Sequence, residues 1–217
     1  MTLCEEFLQH LVGSWKGVGI GTESLRNTFM ATLRVAPHNE SGGRFSSVLV
    51  RSNFTNADDG MRMRFAGFLR CTGPDTVAWA LQHHTGEIES LRGSLSAVEA
   101  PERVASASDP VGPAVSLRNV RVVDSDSYSD YIQAFLGGSA PGADRVIRLL
   151  LDSTDTGSST VTQTQHLLRL DLTSQRSQHV SPRPGPRTLR DLSWESRIAT
   201  PAHPGLNHLN ALRFQSD

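Results

Sequence analysis

Apolar and polar residues alternate in short runs along most of this chain. From residue 61 to residue 70 the alternation is strict at the start, with Arg62 and Arg64 on one face and Met63 and Phe65 on the other. Similar runs, rich in β-branched and aromatic residues, fall at 29–35, 44–54, 76–82 and 88–95. Later ones fall at 114–123, 145–151, 160–172, 188–198 and 208–214. Turn signals separate them, among them Gly73-Pro74-Asp75 and Thr85-Gly86. Helical periodicity is confined to the start of the chain and to 128–136. The pattern predicts an all-β, antiparallel meander of about ten strands.

The first strand is marked by Gly13-Ser14-Trp15-Lys16-Gly17-Val18-Gly19, which reads G-x-W-x-G-x-G. A Trp between alternating glycines suits the opening strand of a small closed barrel. The indole plugs the floor, and Gly13, Gly17 and Gly19 let the strand bend and approach its neighbours. A Trp in any β-core would also satisfy the pattern. The preceding run Phe7-Leu8-Gln9-His10-Leu11-Val12 reads as a short N-terminal helix or turn packed across that floor.

Three segments read as loop insertions within one domain spanning 1–217. They are 97–113, small and polar; 137–144, rich in Gly, Ala and Pro; and 174–187, which carries Pro182, Pro184 and Pro186. Loop enlargement costs a barrel little, because closure entropy grows only logarithmically with length.

Composition narrows the function classes. The 217 residues are 37% hydrophobic and 20% charged, enough for a real core. The formal net charge of −1 supplies no global drive toward nucleic acid or anionic membrane. No apolar run reaches the length of a spanning helix. The N-terminus lacks the basic and long apolar regions of a signal peptide, and Cys4 and Cys71 do not make a disulfide scaffold. A cytoplasmic protein with reduced cysteines is the expectation.

Candidate chemistry is sparse. No nucleophile elbow, Walker loop, dinucleotide fingerprint, CxxC pair or H-E-x-x-H is present. His83 and His84 are adjacent, and neighbours on a strand face opposite ways, so they make a poor zinc pair. One of them lines a pocket, or both sit in solvent at a hairpin end. His166 alternates with Leu167, which leaves either face open to it. Arg62, Arg64 and Arg169 are candidates for holding anionic groups at a pocket mouth.

Four segments, in order, resemble the nitrobindin family of haem-binding, ten-stranded barrels related to fatty-acid-binding proteins. Gly13 to Gly19 resembles the family's G-x-W-x-G-x-G signature. Phe65 to Arg70 resembles its G-[YF]-L-R strand. Ala80 to Ile88 is similar to its L-A-x-P-T-G-x-x-E hairpin, with His84 where the family carries Pro. Gly205 to Leu212 is similar to its C-terminal L-x-x-H-L-x-A-x-L strand. The resemblance implies a lipocalin-like and fatty-acid-binding-protein-like (calycin) barrel holding one haem b per chain.

It also implies that His208 is the axial ligand to the iron, with His203 as fallback. His166, His84 and Arg169 are further cofactor-binding candidates. The implied activity is binding of nitric oxide and isomerisation of peroxynitrite to nitrate, with a homodimer among the assemblies open to it. A different class of reading is a non-catalytic carrier of a fatty acid or other apolar ligand in the same cavity. A third is a barrel filled by its own side chains that serves as an interaction module.

Overall fold

The computed structural model describes residues 1–21, 28–41, 44–57, 60–99, 135–136, 143–155, 160–174, 188–202, 205 and 207–216. These hold one helix, α1 (Leu3–Leu11), and ten strands. The strands are β1 (Gly13–Gly21), β2 (Thr28–Ser41), β3 (Arg44–Asn56), β4 (Arg62–Cys71), β5 (Thr76–His83), β6 (Ile88–Glu99), β7 (Arg145–Asp155), β8 (Gln163–Ser174), β9 (Thr188–Ala199) and β10 (Asn207–Ser216). Each strand pairs antiparallel with the next, and β1 pairs with β10 to close the barrel. The expected antiparallel ten-stranded lipocalin-like barrel is therefore the observed fold. The strand expected at 114–123 and most of the helical segment at 128–136 lie outside the described residues. So do 100–113, 137–142 and 175–187. The insertion expected from residue 97 starts later, because β6 continues through Glu99 paired to Arg145.

Helix α1 closes one end. Thr2 caps it reciprocally: Glu5 N donates to Thr2 Oγ1 at 3.2 Å and Thr2 N donates to Glu5 Oε2 at 2.8 Å. Cys4, Phe7, Leu8 and Leu11 follow helical spacing and are all buried against the barrel floor. Trp15 meets them there. It is 1% exposed, and its Nε1 donates to the Leu11 carbonyl at 2.8 Å, satisfying one of the helix's terminal acceptors. Arg190 of β9 completes the end cap. Its Nη1 donates to the carbonyls of His10 (2.8 Å) and Val12 (2.9 Å), and its guanidinium lies 5.2 Å from the Trp15 ring centroid.

The glycines of the first motif serve two separate needs. Gly13 has φ +139°, which lets the chain turn from helix to strand. At Gly17 a Cβ would lie 2.0 Å from the Arg213 carbonyl oxygen, so only glycine allows β10 its close approach.

The cysteines correct the sequence expectation. Cys4 and Cys71 are joined in a disulfide, with Cα atoms 5.9 Å apart, rather than reduced. The bond ties α1 to the end of β4. The fold brings together two residues 67 positions apart, a proximity that spacing alone does not reveal.

Candidate functional site

The other end of the barrel holds a cavity of about 340 Å³, within the range of small-ligand pockets. Phe29, Phe54, Phe65, Leu81, Trp194 and Leu212 form most of its wall. The rings interlock: Phe65 stacks edge-on to Trp194 at 5.0 Å, and Trp194 packs on Trp79 at 5.3 Å. These residues point inward because the strands alternate. In β9, Leu192, Trp194 and Ser196 share the inner face. In β8, His166, Leu168 and Leu170 do the same.

Six polar side chains interrupt this apolar lining: Arg64, His83, His84, His166, Ser196 and Asn210. His166 and Ser196 are both buried, each 6% exposed. Trp194 Nε1 donates to His166 Nδ1 at 3.1 Å, and Ser196 Oγ lies 2.9 Å from the same nitrogen. An indole nitrogen can only donate, so Nδ1 is the acceptor and the ring proton is assigned to Nε2. That proton faces Glu89, whose Oε2 lies 3.5 Å from His166 Nε2 and 3.3 Å from His83 Nε2.

Glu89 is 4% exposed and stands behind the two imidazoles. Burial pushes its carboxyl up, but the neighbouring His166 and His83 outweigh this and bring it down to about 2. Among the described residues, Glu89 Oε1, His166 Nε2 and Trp79 Nε1 are buried polar atoms without a hydrogen-bond partner.

The sequence candidates fall in different places. His166 and His84 both line the cavity, His84 from the exposed β5–β6 turn at its mouth, with Arg64 beside it. Arg169 does not line it. Alternation along β8 puts Arg169 on the outer face, where its Nη2 donates to the Leu136 carbonyl at 3.3 Å and its Nε lies 3.4 Å from Asp171 Oδ1. Arg62 is exposed. The backbone of His208 lies on β10 opposite Arg197 of β9, at the register shift between His208 and Asn210. Its side chain, and all of His203, lie outside the described residues.

Sequence reasoning missed Glu89, Trp194 and Ser196 as members of the site. Glu89 carried a usable signal, since it shares strand parity with Leu91 and Leu95 and therefore faces inward.

The lining suits a haem. An aromatic and aliphatic wall suits an apolar macrocycle, and an arginine and a histidine at the mouth match anionic substituents. His166 as seated is not an axial ligand, because its Nε2 carries the proton and its Nδ1 is engaged.

Comparisons with known proteins agree. The crystal structure of Rv2717c from M. tuberculosis superposes with a TM-score of 0.58 at 15% identity, covering 100% of this chain and 99% of that one. A redesigned β-barrel, b11L5F_LGL, matches with a TM-score of 0.35 at 10% identity over 100% of this chain and 99% of that one, too distant to add to the fold. A family model described as "THAP4-like, heme-binding beta-barrel domain" matches residues 6–124, more than half of the chain. This chain thus belongs to the THAP4-like haem-binding β-barrel family, in agreement with the nitrobindin resemblance, three of whose four motifs lie within the matched residues.

Proposed function

We propose that this barrel binds one ferric haem b, with His208 of β10 as axial ligand, and that the loaded protein binds nitric oxide and isomerises peroxynitrite to nitrate. The observation that carries the reading is the cavity itself. It is walled by Phe29, Phe54, Phe65, Trp194 and Leu212, and the haem-binding family model matches the chain. In the resting geometry His166 Nδ1 accepts from Trp194, which supports the histidine of β10 as the ligand.

Each group in the lining has a distinct task in this reading. The aromatic wall excludes water and keeps a reactive ligand in place. Arg64 and His84 at the mouth hold anionic substituents by charge-assisted hydrogen bonds. Bound haem supplies an iron Lewis acid for a peroxo oxygen. Ser196 and Asn210 offer hydrogen bonds to a polar ligand within the cavity.

The test is a titration of the apoprotein with ferric haem, followed by nitric oxide and by peroxynitrite mixing with nitrate yield as the readout. The reading expects a saturable Soret band, a spectral shift with nitric oxide, and nitrate formed faster than in buffer. A protein that gives no Soret band but displaces a fluorescent fatty acid probe would instead be an apolar-ligand carrier.

A further inference from the structure

Glu89 is an ionised group on a wall of leucines. Its β5 partner is Leu81, its β6 companions on the same face are Leu91 and Leu95, and all are buried. Burying a carboxylate with one unpartnered oxygen is costly, and a leucine there would pack at less cost. What distinguishes this carboxylate is its neighbours. Its Oε2 receives His166 from the cavity side and His83 from the rim, where the His83 side chain is 36% exposed. On the far side of the His166 ring, Nδ1 meets the hydroxyl of Ser196, which itself lines the cavity. Four protonatable groups therefore stand in file from the cavity interior to its half-exposed rim, where His83 also lines the pocket. Their separations are 2.9 Å from Ser196 to His166, 3.5 Å from His166 to Glu89 and 3.3 Å from Glu89 to His83. The other charged or titratable groups lining this cavity are Arg64 of β4 and His84 of the β5–β6 turn, both at the mouth. The β7 and β9 neighbours of His166 are Leu151, Trp194 and Ser196, none of them charged.

We propose that Ser196, His166, Glu89 and His83 form a proton wire that carries a proton from a small weak acid in the cavity to the barrel rim, leaving the ligand bound as its anion. The acid gives its proton to Ser196 Oγ while Ser196 passes its own to His166 Nδ1. His166 releases the Nε2 proton to Glu89 Oε2, and Glu89 hands it to His83 Nε2 and so to solvent. No heavy-atom bond forms or breaks, and no electron moves. Trp194 sets the direction. By donating to Nδ1 at 3.1 Å it holds the resting ring as the Nε2–H tautomer; Ser196 Oγ, at 2.9 Å from the same lone pair, displaces that bond as its proton crosses, and the ring returns to its resting tautomer when the ligand leaves with the proton. The ionised state of Glu89 at neutral pH suits it as the intermediate acceptor. The ligand class deepens the haem reading above and rests on it, because a ferric site binds small anions. The wire itself rests on the apoprotein's geometry.

The test uses cyanide, supplied as the weak acid, on ferric haem-loaded protein, with rates compared on the loaded fraction. Wild-type association is expected to slow in heavy water. In Glu89→Gln and in Ser196→Ala it is expected to fall at least about tenfold and to lose most of that isotope effect. Association at the wild-type rate with the isotope effect intact in a folded variant overturns the wire. Ser196→Ala decides the matter if Glu89→Gln does not fold. If the protein takes up no haem, the haem reading fails separately. The wire is then judged on the apoprotein by ring ¹⁵N NMR: a His166 protonated on Nε2 supports it, and one protonated on Nδ1 overturns it.

Discussion

Trp194 Nε1 donates to His166 Nδ1 at 3.1 Å inside the barrel, and this one bond decides what the imidazole can do. It places the ring proton on Nε2, toward Glu89, and closes the metal-ligand role to His166 while leaving the acid–base role open. Trp194→Phe keeps most of the ring volume and removes the donor. His166 is then expected to populate both neutral tautomers in ring ¹⁵N spectra, with a loss of about 1–2 kcal/mol in urea melts. A single Nε2–H tautomer in the variant would show that Trp194 does not set the ring's state.

Glu89 links the site to acid stability. Its carboxyl sits at about 2 in the folded protein against an ordinary 4.5, because His166 and His83 offset the cost of burial. A depressed folded value means stabilisation that is present above 4.5 and is lost as pH falls from 4.5 toward 2. The full effect is roughly 3 kcal/mol. Denaturant melts across that window should show wild type losing stability more steeply than Glu89→Gln. Parallel curves would contradict the paired-carboxylate description.

The disulfide closes a loop of 67 residues between α1 and β4. Chain entropy alone assigns a loop of that size about 4 kcal/mol. Cys4→Ala/Cys71→Ala is therefore expected to lower the unfolding midpoint markedly, and reducing agent should do the same to wild type but not to the double variant. Equal melting of the oxidised and reduced protein would show that the floor helix is held by packing alone.

Trp15 is the keystone of that floor, buried against α1 and bonded to the Leu11 carbonyl. Trp15→Ala should cost about 3–5 kcal/mol in denaturant melts, as for other large-to-small core changes. A loss under about 1 kcal/mol would mean that α1 and Arg190 close the barrel without it.

The fold was legible because strand alternation survives almost everywhere: Leu168 and Leu170 of β8, or Trp79 and Leu81 of β5, show their inward parity directly in the sequence. The floor was legible for the same reason, from Trp15 and its glycines. The site was less so. His166 follows Gln165 and precedes Leu167, so an apolar neighbour on the outer face obscured its direction. Arg169 shares parity with Leu167, and that parity already puts it outside. Glu89 was not singled out, because a charge in a strand usually faces solvent, and its register with Leu91 and Leu95 is what turns it inward. The Cys4–Cys71 bond depends on α1 folding beneath β4, a tertiary fact with no local signature.

In the proposed function this barrel holds haem through His208 while His166 serves the ligand. Ferric haem titrated into wild type, His208→Ala and His166→Ala, followed in the Soret region, tests it most directly. Expected are saturation near one equivalent for wild type, loss of most of the Soret shift in His208→Ala, and a His166→Ala protein that still takes up haem. A His208→Ala protein that binds haem as tightly as wild type with an unchanged spectrum, or a His166→Ala protein that no longer binds it, would contradict that assignment.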